Sequence, residues 1–211
     1  MLLEEGSPYK EKLLKLLGAE YSKDRSGTHV SDLLYCIREQ VFRKLEPKPI
    51  TDRELSSFAF GEGAHLAVQR LATTGVSLAE KEVVLDGVIG TIDLFDSVPI
   101  EIKTVRSKDD SVRSFHITQL KYYMTMVNSN VGVLFYLMVN DFYNPFRFRT
   151  LTLSTEELGN IKEEIKERAD KFNLAMASKN AFLAPHIKKD KSLVWKCSYC
   201  KYRQPCYARN D

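Results

Sequence analysis

The run GTIDLFDSVPIEIKTV, Gly90–Val105, carries the densest chemistry in the chain and its clearest structural signal. Asp96-Ser97 divides it into two stretches that read as β-strands. Side chains alternate along a strand, so Glu101 and Lys103 share a face, and a tight turn brings Asp93 beside them. Ile92, Leu94, Ile100 and Ile102 fall on the other side. Two carboxylates and an ammonium therefore converge on one spot. Oxygen ligands of this kind suit Mg2+ or Mn2+. A lysine beside such a cation would orient and help deprotonate an attacking water, while the metal polarises a phosphoryl oxygen. The competing reading is a solvent-facing sheet on which Lys103 merely pairs with the carboxylates.

The pattern extends in both directions. Upstream, EKEVVLDGVIGTIDLF holds two β-rich runs joined by Asp86-Gly87, a two-residue hairpin signal. Before it, residues 54–74 show helical spacing, carry His65, and stop at Gly75. Imidazole can ligate Mn2+, although a lone histidine can equally be an ordinary half-buried side chain. Downstream, SFHITQLKYYMTMVN returns to helical period and places Gln119 and Tyr123 at i, i+4 on one face, within reach of a substrate phosphate or base. VGVLFYLMV reads as a buried strand and FRFRTLTL as a strand with one wet face. Ser154 and Glu157 have the capping-box spacing that opens a long charged helix to about residue 178.

At the N-terminal end, residues 18–32 are polar and read as an exposed loop. Ser31 or Asp32 would then cap a helix through LLYCIREQVFRKL, with Cys36 inside it. The whole order predicts one α/β domain with a mixed central sheet flanked by helices. Within 1–211 it divides into an N-terminal helical part (1–53), a core (54–178) and a C-terminal part (179–211).

Composition is that of a soluble globular protein, 44% hydrophobic and 28% charged, and a net charge of +3 neither demands nor excludes a nucleic-acid partner. No apolar stretch has membrane-spanning length, and MLLEEGSPYKEKLLKLLG reads as an amphipathic helix rather than a signal peptide. A reducing, cytoplasmic setting is expected, in which clustered cysteines are metal ligands rather than disulfides. The chain has four cysteines, and three of them, Cys197, Cys200 and Cys206, crowd into KCSYCKYRQPCYARND. Cys36 is the remaining candidate for a fourth ligand. By count, four thiolates hold zinc or an iron–sulfur cluster equally well, and the one-plus-three distribution leans towards a cluster. The tail also mixes Lys196, Lys201 and Arg203 with Tyr199, Tyr202 and Tyr207. That mixture suits either a backbone-tracking surface or a plain solvated tail.

Taken in order, Gly61-x-x-x-His65, Gly90-x-x-Asp93, Glu101-x-Lys103 and Gln119-x-x-x-Tyr123 resemble the motifs of the RecB-type PD-(D/E)xK nucleases. One cysteine before these motifs and three after them resembles the iron–sulfur members, both the AddB-type helicase–nucleases and the stand-alone CRISPR-associated exonucleases (the fourth Cas family). The chain has no G-x-x-x-x-G-K-[ST] loop and is of stand-alone size, which favours the latter. One departure is Cys36-Ile37-Arg38-Glu39, where that family often carries proline and basic residues after the first cysteine.

The resemblance implies a restriction-endonuclease-like core and a C-terminal iron–sulfur region. It implies a metal bound at His65, Asp93, Glu101 and Ile102, with Asp93, Glu101, Lys103, Gln119 and Tyr123 as catalytic residues. It further implies a cluster on Cys36, Cys197, Cys200 and Cys206, [4Fe–4S] in preference to [2Fe–2S]. The expected activity is Mn2+- or Mg2+-dependent exonucleolytic cleavage of single-stranded DNA, 5′-to-3′ favoured, in trimming DNA for CRISPR spacer acquisition beside integrase proteins. A homo-oligomer is compatible with this. Two other functions fit the same residues: the nuclease partner of a separate repair helicase, and a non-catalytic iron–sulfur subunit for DNA binding or assembly.

Overall fold

The structure, a computed structural model, describes residues 8–23, 25–72, 78–106, 112–141, 143–187 and 194–208. The elements run α1 (Pro8–Tyr21), β1 (Thr28–His29), α2 (Val30–Leu33), α3 (Ile37–Leu45), α4 (Asp52–Ala72), β2 (Leu78–Leu85), β3 (Val88–Asp96), β4 (Val98–Val105), α5 (Ser114–Met126), β5 (Val131–Met138), β6 (Phe146–Thr152), α6 (Thr155–Ala177) and α7 (Arg203–Ala208). Short 3-10 turns at Ala181–Leu183 and Val194–Ser198 lie between α6 and α7. The expected stop at Gly75 lies outside the described residues.

The sheet is mixed, as the sequence predicts. β2, β3 and β4 form an antiparallel meander. Asp86 and Gly87 both take positive φ, 48° and 80°, which matches the twist of a two-residue hairpin. β4 and β5 are parallel, with α5 as the crossover, and β6 returns antiparallel as the edge strand. One face carries the main core, in which Ile92, Leu120, Leu134, Ile165 and Phe172 are buried with Val41 of α3. On the other, α4 lays Val68 against the smaller cluster of Leu94, Ile102 and Phe135; Ile92, which simple alternation groups with Leu94, Ile100 and Ile102, belongs instead to the main core. The predicted capping box of α6 is present: Glu157 N–H donates to Ser154 Oγ at 3.1 Å, and Ser154 N–H to Glu157 Oε2 at 2.7 Å. No helix among the described residues is long and apolar enough to cross a membrane.

Three further local expectations need correction. Residues 18–32 are not one exposed loop: α1 continues to Tyr21, and Thr28 is buried in β1, which pairs in parallel with the start of β3. A polar stretch can be buried when its main chain is completed by a sheet edge, and composition alone does not report that.

The helix expected through Cys36 is broken. α2 ends at Leu33, and Cys36 is the extended N-cap residue of α3 (φ −75°, ψ 103°). Neither Ser31 nor Asp32 caps that helix: Asp32 accepts from His29 N–H at 2.9 Å, and Ser31 from Arg25 at 3.1 Å. The break is stabilised from a distance, because Arg168 on α6 donates to the carbonyls of Leu33 (2.7 Å) and Tyr35 (2.8 Å). Those carbonyls would otherwise lack helical partners. Finally, β6 has no well-buried face, since Phe146 and Phe148 are both exposed at the sheet edge.

Candidate active site

The turn at Ser97 (φ 59°) sets Leu94 opposite Ile100, the last pair of the β3–β4 ladder, and Asp93 and Glu101 are the next residues on the two strands. Beyond that point β3 and β4 part. The Asp93 carboxylate occupies the opening, with Oδ2 accepting from the main-chain N–H of Ile102 at 2.8 Å. Its other oxygen, Oδ1, lies 3.4 Å from His65 Nδ1. One helical turn after His65, Gln69 donates to the main-chain carbonyl of Asp93 at 3.1 Å. α4 thus meets Asp93 twice, once at the carboxylate and once at the backbone. Gln69 is 5% exposed and was missed from the sequence. Its i, i+4 spacing from His65 was the available signal.

Glu101 is 1% exposed. Its Oε1 receives Lys103 Nζ at 2.5 Å, whereas its Oε2 is buried without a hydrogen-bond partner. A lone buried carboxylate oxygen is costly unless a donor or a cation completes it. Burial lifts the Glu101 carboxyl to about 7; Lys103 opposes the rise and Asp93 adds to it. Burial pulls Lys103 down, but Glu101 and Asp93 together hold its ammonium above the ordinary lysine value. Lys103 also donates to Gln119 Oε1 at 2.8 Å, and Gln119 Nε2 donates to the Tyr123 hydroxyl at 3.1 Å.

Gln119 and Tyr123 therefore form a relay running inward from Lys103, rather than the substrate-facing pair expected from the sequence. Tyr123 is 5% exposed, and its ring packs beneath β3. A Cβ built on Gly90 would lie 2.9 Å from Tyr123 Cε1 and 3.0 Å from Met126 Sδ. The glycine three residues before Asp93 is thus the space that the tyrosine ring occupies. Gly90→Ala should cost about 1–3 kcal/mol by overpacking and lower the melting temperature by several degrees, checked by thermal unfolding. An unchanged melting temperature would mean that the contact is not tight.

Ile102, fully buried and with its N–H taken by Asp93, has only its main-chain carbonyl left to offer a cation. Beside His65, a groove of about 650 Å3 opens between α1 and α4, lined by Tyr21, Lys23, Arg25, Phe58 and Glu62 among others. Among the described residues, no three His, Cys, Asp or Glu side chains are already gathered into a group that could hold an ion. The donor set nevertheless fits a hard divalent cation, because a partnerless Glu101 oxygen lies within electrostatic reach of the Asp93 carboxylate and the His65 ring, which themselves meet at 3.4 Å. Binding requires Glu101 as carboxylate. Mn2+ should therefore raise the melting temperature at about pH 8, and progressively less as pH falls through about 7. A shift independent of pH across that window would contradict the assignment.

The four cysteines are free thiols, and all of them line a second, small cavity together with Glu39 and Lys196. Cys36 is 6% exposed. Burial pushes its thiol up, against main-chain N–H groups of Glu39 and Ile187 directed at the sulfur. Burial, then Glu39, Cys36 and Cys197, push Cys200 up to about 11. The four thiols share the lining of this cavity without being drawn into a ready ligand set, and any thiophilic metal would have to displace their protons.

The segment bearing three of these thiols is held by contacts the cysteine pattern did not announce. Arg38 donates to the Ala184 carbonyl at 3.0 Å. Lys201 bonds Glu54 at 2.6 Å and the Pro49 carbonyl at 2.8 Å. Burial acts to raise the Glu54 carboxyl, but Lys201 and Thr51 outweigh it and hold it at about 2. Tyr202 is 2% exposed, stacked on Phe42 at 5.5 Å, and donates to the Glu46 carbonyl. Tyr202 and Lys201 thus belong to the packing of the tail, not to a solvated surface.

A mixed sheet flanked by helices, with a carboxylate pair and a lysine where its central strands diverge, defines a nuclease-type α/β core. The family model of the PD-(D/E)XK nuclease superfamily matches residues 17–207, and the chain belongs to that superfamily. Its fold is similar to the crystal structure of SSO0001, with a TM-score of 0.64 and 19% identity over 98% of this chain and 99% of that one. It is also similar to an alkaline exonuclease (LHK-Exo) from Laribacter hongkongensis, with a TM-score of 0.52 and 12% identity over 78% of this chain and 95% of that one. The same exonuclease in complex with dAMP matches with a TM-score of 0.53 and 11% identity, at the same coverage.

Proposed function

We propose that the chain is a divalent-metal-dependent exonuclease acting on single-stranded DNA ends, 5′-to-3′ favoured, with an iron–sulfur cluster clasping its two ends. The observation that carries the nuclease reading is the buried, partnerless Oε2 of Glu101, whose carboxylate pairs with Lys103 through Oε1 and feels the charge of Asp93. It is an anionic site built to be completed by a cation. Similarity to structures of an exonuclease, one in complex with dAMP, supports DNA ends as the substrate.

His65, Asp93, Glu101 and the Ile102 carbonyl would hold Mn2+ or Mg2+. When bound, the cation polarises the scissile phosphoryl oxygen and stabilises charge on the leaving oxygen. Lys103, held as an ammonium by Glu101 and braced by Gln119, would donate to and orient the attacking water, whose proton then passes to solvent because an ammonium cannot accept it. Tyr123 fixes Gln119 from below, and Gln69 fixes the strand bearing Asp93. Cys36, Cys197, Cys200 and Cys206 would hold the cluster, [4Fe–4S] before [2Fe–2S], in a structural role. The setting this best suits is trimming of DNA before CRISPR spacer acquisition, beside integrase proteins.

The test is cleavage of 5′- and 3′-labelled single strands with Mn2+ or Mg2+, comparing wild type with Asp93→Ala and Lys103→Ala. Loss of cleavage in both variants is expected, and the position of the label released reads the polarity. Unchanged cleavage in both would remove the site. Inactive wild type with an intact cluster would favour the non-catalytic alternative. A colourless protein with stoichiometric zinc and no iron would replace the cluster by zinc.

A further inference from the structure

Folding sorts the cations and aromatics of the C-terminal region into two groups. Tyr202 and Lys201 are consumed in packing, whereas Trp195 and Tyr199 stay 48% and 82% exposed, edge to face with centroids 6.4 Å apart. Lys196 bridges inward from them, its Nζ 5.7 Å from the ring centroid of Trp195, 2.9 Å from that of Tyr35 and 5.1 Å from that of Phe115. Those two rings touch at 5.2 Å, and the Arg113 guanidinium stands 6.0 Å from Phe115. Tyr35 in turn lies within electrostatic reach of Lys103, Glu101 and Arg113. A row of aromatic faces punctuated by two cations therefore runs from the cysteine-bearing tail towards the catalytic lysine.

Such a surface discriminates between nucleic acids by what it can touch. Every base has a π-face that stacks on an aromatic ring, but in a duplex those faces are already stacked, and only phosphates and groove edges remain. We propose that this ledge is the track for the single-stranded DNA substrate. Bases stack on Trp195 and Tyr199, Lys196 and Arg113 hold the intervening phosphates, and the strand is led past Tyr35 to Lys103. The proposal rests on the nuclease reading above and adds the residues that grip the strand.

The experiment uses the full chain and a fluorescein-labelled oligothymidylate of about fifteen nucleotides. Trp195→Ala with Tyr199→Ala should raise its Kd without divalent metal roughly 10- to 100-fold. KM for its cleavage should rise alike, with kcat within about twofold. Hydrolysis of bis(p-nitrophenyl) phosphate, too small to reach the ledge, should not change. Trp195→Phe with Tyr199→Phe should restore affinity, because the stacking faces return. Arg113→Gln, on a separate element, should weaken binding by itself and keeps the test open if the double variant folds poorly. Unchanged Kd and KM in the double variant, beside an active wild type, would overturn the ledge. Equal loss of affinity for a blunt duplex would overturn the single-strand assignment. A wild type that neither binds nor cuts DNA would instead overturn the nuclease reading beneath it.

Discussion

Replacing Glu101 by glutamine should reduce cleavage by about a thousandfold, on the scale of losing a principal electrostatic contact in an active site, while leaving the metal-free protein at least as stable. The two effects have one cause. Glu101 is buried, Oε1 is bound to Lys103, and Oε2 has no protein partner. Without metal its carboxyl is lifted to about 7, so the folded state takes up a proton more readily than the unfolded chain does. A raised carboxyl is a penalty that is full above about pH 7 and fades as pH falls towards the unfolded value. Glutamine removes that penalty, keeps an oxygen for Lys103, and forfeits the charge that a divalent cation needs. At about pH 8 the variant's melting temperature should equal or exceed that of the metal-free wild type, and Mn2+ should no longer raise it. A variant that still cuts DNA, or still responds to Mn2+, would place the metal elsewhere. A collapsed melting temperature without metal would instead make Glu101 a structural partner of Lys103.

Replacing Cys36 by serine should be the most damaging change away from the cleft. If the cluster joins Cys36 to the C-terminal thiols, it closes a loop of roughly 160 residues, and the chain-entropy value of such a closure is on the order of 5 kcal/mol. Total stabilities of about 5–15 kcal/mol leave little margin after such a loss. The expected result is loss of iron, a much lower melting temperature and early proteolysis of the C-terminal segment. Packing by Tyr202, Lys201 and Arg38 holds that segment partly in place without the thiols, so the nuclease core should keep its sheet. Cys200→Ser, at a less buried position, separates lost ligation from lost packing at Cys36. Wild-type stability and iron content in both variants would refute the joint site.

Much of the fold was legible because its signals are local. Asp86-Gly87 supplies the positive φ angles of a tight hairpin, the Ser154–Glu157 spacing satisfies reciprocal donors, and alternation around Glu101 and Lys103 assigns their common face. The break before Cys36 was not legible, because Arg168 stabilises it from more than a hundred residues away in sequence. Burial of β1 was hidden for a similar reason, since its partner is the distant start of β3.

The sequence by itself determined which side chains could do chemistry here and the order in which they come: His65, Asp93, Glu101, Lys103, Gln119, Tyr123 and the one-plus-three cysteines. It also determined the period of the elements that carry them, because residue type and spacing are properties of the chain. The tertiary structure decided which of those groups face a substrate and which face inward. Tyr123 passed from the substrate side to the space beside Gly90, Tyr202 from a solvated tail to a stack on Phe42, and Glu101 became a buried carboxylate with one oxygen unanswered. Those outcomes depend on what packs against each group. Packing is set by contacts between elements far apart in the chain, which no local spacing encodes.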